Sequence, residues 1–174
     1  MTFPVQQRCL VLLRHAKSAW PHGVPDHERP LAGKGRRNAH ATGEWFLSEG
    51  PKPDLVLCSD AVRARHTWEI VASVLRPAPP VRVEPAIYGA DPDDLLAVLR
   101  GLPADRRTVV VVGHEPTMSQ TCSLLAGPGS DLVALGRIRS KFPTNGVAVL
   151  RTTVPWVRLA PGTAVLERFA VPRT

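Results

Sequence analysis

Long apolar stretches are missing from this 174-residue chain. None approaches the roughly 20 residues that a bilayer-crossing helix needs, so no membrane partner is expected. Met1 to Arg8 has neither a basic start nor an apolar core, which predicts no signal peptide and a cytoplasmic location. Cysteine is limited to Cys9, Cys58 and Cys122 on three separate segments. That odd count argues for reduced, partly buried thiols. Aromatic residues make up only 5%, and no five basic residues run together. No stacking platform for nucleic acid is visible, so nucleic acid is not an expected partner. Lysine occurs only at Lys17, Lys34, Lys52 and Lys141, so the net charge of +7 rests mainly on scattered arginines. Such a balance favours a small acidic ligand over a polyanionic surface. His22, His27, His40 and His66 show no metal-ligand spacing, so neither a metal nor a cofactor is expected.

What the chain does have is alternation. Cys9–Leu13, Asp54–Cys58, Val81–Val83 and Thr108–Val112 read as short strands, the first and last as continuous apolar runs covered on both faces. Helical segments fall between them. One spans Lys34–Ser48 and stops at Gly50-Pro51. A second follows Ser59-Asp60, both good caps, with its stripe at Ala61, Ala64, Trp68, Val71 and Leu75. A third starts at Asp91-Pro92, and a fourth covers Pro116–Leu125. Pro21–Pro30 reads as a loop, and Gly127–Gly129 as a break. Val147–Leu150 and Ala164–Phe169 look like late strands. The pattern predicts one α/β domain over residues 1–174, a three-layer α/β/α sandwich on a mostly parallel sheet.

Ligands of open α/β sheets bind at the carboxyl ends of strands. Arg14-His15-Ala16-Lys17-Ser18 follows the first strand, and Gly113-His114-Glu115-Pro116 follows the fourth. Two imidazoles and an arginine there make a basic pocket holding a nucleophile. Taken singly, each histidine serves as well as a cap or surface residue. Arg63 falls in the first turn of the second helix, where its charge opposes the helix dipole unless an anion sits between them. Cys58 is a competing nucleophile, but a cysteine phosphatase needs five residues between Cys and Arg, and four separate Cys58 from Arg63.

These strand ends together resemble the histidine phosphatase superfamily, and within it the small SixA-like phosphohistidine phosphatases. Arg14-His15-Ala16-Lys17-Ser18 resembles the family's Arg-His-Gly signature, with Ala16 in place of the glycine. Ser59 through Thr67 resembles its Ser-x-x-x-Arg-Ala-x-x-Thr segment, and Val112-Gly113-His114 its second-histidine motif. Asp26 to Arg37, Ile87-Tyr88-Gly89-Ala90 and Phe142-Pro143-Thr144 add to the likeness. The resemblance implies a phosphoglycerate mutase-like fold and a two-step phosphoryl transfer without a metal. His15 would attack phosphorus, while Arg14, Arg63 and His114 hold the phosphoryl oxygens and Lys17 and Ser18 add contacts. Larger relatives place a carboxylic general acid after the third strand. Glu84 is the nearest candidate here, off the usual spacing, with Glu115 and Asp60 as rivals. Expected substrates are a phosphorylated protein or a small phosphate ester. With little chain between Val83 and Thr108 for a lid, the pocket should be open. The competing reading is a non-catalytic module that binds phosphoprotein or nucleic acid on the same fold.

Overall fold

The computed structural model describes residues 4–174. Its sheet has six strands among those residues: β1 (Arg8–Arg14), β2 (Leu55–Cys58), β3 (Val81–Val83), β4 (Thr108–Gly113), β5 (Val147–Thr152) and β6 (Ala164–Ala170). Their spatial order is β3-β2-β4-β1-β5-β6. The first four run parallel, whereas β5 lies antiparallel to β1 and β6 antiparallel to β5.

Successive side chains of a strand point to opposite faces. In β1, Leu10 and Leu12 join one core with Val109 and Val111 of β4 and Leu55 and Leu57 of β2. Cys9, Val11 and Leu13 join a second core on the other face. Both faces of these strands are dry, which is why they read as unbroken apolar runs. Helices α1 (Gly33–Ser48) and α2 (Val62–Val74) cover the second face through Trp45, Phe46, Trp68 and Val71. Helices α3 (Pro92–Arg100), α4 (Thr117–Leu125) and α5 (Leu132–Ser140) cover the first. The three layers are those expected. No described helix is long and apolar enough to cross a membrane.

Several boundaries depart from expectation. Helix α5 was not foreseen. Leu132 and Val133 are exposed, and only Ala134, Leu135 and Ile138 pack inward, so its apolar stripe is too short to stand out. Helix α2 is capped by Ala61 without any side-chain bond. Ser59 lies a step too early to cap it, and its hydroxyl is used elsewhere. Asp91 does cap α3, in a reciprocal box with Asp94. The Pro21–Pro30 loop contains one 3-10 turn at Asp26–Glu28.

The strand order positions the site. The chain leaves β1, forms α1 and returns as β2, and β4 later inserts between the two. Arg14 then lies opposite Gly113, and Cys58 opposite Val112, so three strands end side by side. Gly35 fits α1 tightly beneath the loop that leaves β1. A Cβ there would sit 2.0 Å from the Lys17 carbonyl oxygen. Gly35→Ala should therefore displace that loop and lower the melting temperature. Gly136→Ala in α5, where a Cβ meets nothing within 4 Å, should raise stability by about 0.5–1 kcal/mol. Thermal melts of the two variants check the contrast.

Candidate active site

The peptide following β1 is held from three sides. The His15 amide donates to the Gly113 carbonyl at 3.0 Å, crossing to β4. The Ala16 amide donates to Thr67 Oγ1 at 2.9 Å, and Thr67 in turn donates to the Arg63 carbonyl at 2.7 Å. The Asn145 amide donates to both the Arg14 and His15 carbonyls at 3.1 Å. Asn145 is fully buried at φ 67°, a conformation that asparagine tolerates better than most residues. Its side-chain amide donates to Asn38 and Pro172 carbonyls at 2.9 and 2.8 Å. The short side chain of Ala16 is fully buried in this knot.

His15 is 7% exposed. Its Nδ1 lies 2.8 Å from the Ala16 carbonyl, an acceptor only, so Nδ1 carries the proton. Nε2 is left with a lone pair, and Arg63 Nε donates to it at 3.3 Å. The ring of His114 lies 5.1 Å away, centroid to centroid. Burial pushes the His15 imidazole down to about 3, helped by the charges of His114, Arg63 and Arg14. Burial first, then Arg63, lowers His114 to about 4. Both rings are neutral at physiological pH.

Ser59 sets the second ring. It is fully buried, and its Oγ lies 2.8 Å from His114 Nε2 while accepting the Ala61 amide at 3.2 Å. If Nε2 carried the proton, the Ser59 hydroxyl would donate to nothing among the described residues, at a cost of about 1–3 kcal/mol. With Ser59 donating to Nε2 instead, the proton sits on Nδ1 of His114, a buried atom that has no partner among the described residues, so each tautomer leaves one donor unpaired.

The cavity measures about 360 Å³ and is lined by Arg14, His15, Lys17, Ser18, Trp20, Arg29, Arg63, His114, Glu115 and Thr144. Six of the seven residues singled out from the sequence meet there. Glu84 does not. β3 is the edge strand, three strand spacings from β1, which is about 14 Å. The Glu84 carboxylate lies 3.6 Å from Arg82 instead. Of its rivals, Asp60 pairs with His27 at 2.9 Å, and only Glu115 lines the cavity. Glu115 accepts the amide and the hydroxyl of Ser119, each at 2.7 Å. Cys58 is buried, and its thiol is pushed up to about 12 by that burial, which suits packing rather than nucleophilic attack.

Asp26 is the functional residue that sequence reasoning passed over. It stood inside a family-like stretch without a role. Its carboxylate accepts from Tyr88 at 2.7 Å, Arg29 at 2.9 Å and Arg63 at 3.1 Å, and its carbonyl accepts a second Arg63 nitrogen at 2.6 Å. The Tyr88 and Arg29 bonds hold it well below the usual carboxylate range. Arg63 thus spends three of its five N–H groups on Asp26 and His15 and keeps two for an anion. The Asp-x-x-Arg spacing of Asp26 and Arg29 was the available signal.

The depressed histidines make stability depend on pH. In the unfolded chain each titrates near 6.5. Below that pH the unfolded chain binds protons that the folded state refuses, so stability falls as pH drops from about 6.5 towards 4. Urea midpoints at pH 7, 6 and 5 should decline, and His15→Gln should flatten that decline. An equal slope in the variant would show that His15 is not held neutral.

The chain is similar to known proteins in sequence and in fold. The family model for the histidine phosphatase superfamily (branch 1) matches residues 10–90, which includes His15 and Arg63 but stops short of His114. An uncharacterized Mycobacterium tuberculosis protein, Rv1276c, is 44% identical over 162 residues, covering 92% of this chain and 100% of the relative. A solved structure described as a phosphohistidine phosphatase SixA from Nakamurella multipartitia is 37% identical, with a TM-score of 0.84 over 98% of this chain and 99% of that one. A tungstate complex of the protein histidine phosphatase SixA, 22% identical with a TM-score of 0.76 over 94% and 97% of the two chains, shares the fold. Matched at 37–44% identity over nearly its full length, and carrying the family's motifs at the carboxyl ends of neighbouring strands, this chain belongs to the histidine phosphatase superfamily, among its SixA-like members.

Proposed function

We propose that this protein is a phosphatase that works through a phosphohistidine on His15. The observation that carries the reading is the fixed proton of His15. With Nδ1–H given to the Ala16 carbonyl, the Nε2 lone pair is the free basic site of the ring, held by the Arg63 Nε–H at 3.3 Å until a phosphoryl group takes its place. In the first step that lone pair forms a P–N bond and the ester P–O or P–N bond of the substrate breaks. The electron pair and the need for a proton go to the leaving group. In the second step water attacks phosphorus, the bond to His15 breaks, and inorganic phosphate leaves. Splitting one displacement into two is the gain of covalent catalysis.

Arg14, the two spare N–H groups of Arg63 and the imidazole of His114 line the cavity around the phosphoryl oxygens, where charge gathers in the transition state. Arg14 is itself aimed by its bond to the Phe142 carbonyl at 2.9 Å. Lys17 and Ser18 flank the same cavity. Glu84 has no part in this scheme, because its carboxylate is with Arg82. Glu115 takes the proton of the attacking water. Its two oxygens accept from the amide and the hydroxyl of Ser119, which fixes the carboxyl group at the cavity wall, and no second carboxyl group lines the cavity among the described residues to act as an acid for the first step. Substrates with undemanding leaving groups fit such a site. A phosphohistidine is one, in keeping with the description of the Nakamurella protein, and an ester of an acidic alcohol is another. A cytoplasmic setting suits three buried cysteines that form no disulfide among the described residues.

Phosphate release from p-nitrophenyl phosphate and from a phosphohistidine-bearing protein tests the reading. Wild type should turn over both, and His15→Ala, shown by circular dichroism to be folded, should fall to background. Alkaline rapid quench should trap an acid-labile phosphoenzyme in wild type only. Glu115→Gln should let that species accumulate by slowing its hydrolysis roughly 10²–10⁴-fold. No release by wild type would return the non-catalytic binding module to the front.

A further inference from the structure

Trp20 is out of place as a packing residue. Of the four tryptophans in the chain, Trp45, Trp68 and Trp156 are 8%, 2% and 1% exposed, while Trp20 is 79% exposed. It nevertheless lines the same cavity as His15 and Arg14. The Arg29 guanidinium carbon stands 3.2 Å from the centre of its ring, covering one face. Arg29 is only 7% exposed and is pinned on three sides. Its Nε donates to the Ala19 carbonyl at 3.0 Å, one Nη to Asp26 at 2.9 Å, and the other to Ser18 Oγ. The loop carrying Trp20 is tied down as well, by the Ala19 amide on the Pro30 carbonyl at 2.8 Å and by the bridge between Ser18 and Leu31. A large aromatic ring is therefore held rigid at the mouth of the cavity, backed by a cation on one face and open on the other.

From this we infer that Trp20 is a shelf for a planar leaving group. The inference rests on the reading of the site as a phosphatase. A phosphate seated among Arg14, His15, Arg63 and His114 leaves its ester substituent to exit through the mouth, where the open ring face offers stacking. Stacking is non-directional in chemistry but demands a flat partner. Aryl phosphate esters meet that demand, and their leaving groups also need little protonation. Both properties match a cavity whose lining carboxylate, Glu115, is committed to Ser119. Aliphatic phosphates gain the same anion contacts and nothing from the ring.

Two measurements test this with p-nitrophenyl phosphate and acetyl phosphate, which both depart easily and differ in the ring. In Trp20→Ala, KM for p-nitrophenyl phosphate should rise about 5-fold or more, from the cost of losing one stacked ring. The kcat for that substrate and the kcat/KM for acetyl phosphate should stay within about 2-fold. Trp20→Phe should restore most of the loss. The second measurement does not need turnover. In His15→Ala, iodide should quench chiefly the exposed Trp20, and phenyl phosphate should shield it while methyl phosphate does not. Equal KM changes for both substrates, or no shielding by phenyl phosphate at concentrations where it displaces methyl phosphate, would overturn the shelf. Shielding without any turnover by wild type would sink the phosphatase reading and leave the shelf standing.

Discussion

The 2.8 Å bond from His15 Nδ1 to the Ala16 carbonyl leaves one lone pair on the other ring nitrogen, and Arg63 faces it. That bond requires the Ala16 carbonyl to face the ring of the residue before it. This orientation is kept by partners far apart in the chain: Thr67 on α2, Gly113 at the end of β4, and Asn145 just before β5. Remove the adjacency of β1 and β4 and the His15 amide loses its acceptor. Remove α2 and the Ala16 amide loses its acceptor and Nε2 its donor. The fold and the proton on one nitrogen are in this sense a single arrangement.

Charge is the second constraint. Arg14, Arg29, Arg63 and Lys17 converge on a cavity with one carboxylate in its lining. Burial keeps both imidazoles neutral, so they do not add to that excess. Asp26 offsets part of it from the side, and in doing so it points Arg63 and Arg29. Arg29 then has its face free for Trp20. One half-exposed carboxylate thereby orients the phosphate-facing arginine and the rim of the cavity together.

The strands that carry the site were legible because they are buried on both faces and read as pure apolar runs. Their carboxyl ends were legible as the places where Arg14-His15, Ser59 and His114 interrupt those runs. What escaped was whatever depends on which strand neighbours which. Glu84 was placed near the site by its position in the chain, after a third strand. The order β3-β2-β4-β1 puts that strand at the edge. Ser59 was read as a helix cap because capping is a local rule, and its bond to His114 spans two strand ends. Asn145, and Asp26 in its bonds to Arg63 and Tyr88, act through hydrogen bonds to residues remote in sequence, and only the Asp26–Arg29 spacing is a local trace of them. Helix α5 was missed for the opposite reason: its face is so narrow that exposed Leu132 and Val133 blur it.

The place of β1 in the sheet bears on how the protein is made. β1 is translated first, yet its two neighbours are β4 and β5. On the order of a hundred further residues must leave the ribosome before either is available, which takes roughly 5–20 s at ordinary elongation rates. Until then one of the most apolar segments of the chain has no edge to pair with, and His15 next to it has no pocket. Completion of the cavity around His15 is thus a late event of biosynthesis. A nascent or truncated chain would expose the sticky strand long before that cavity exists.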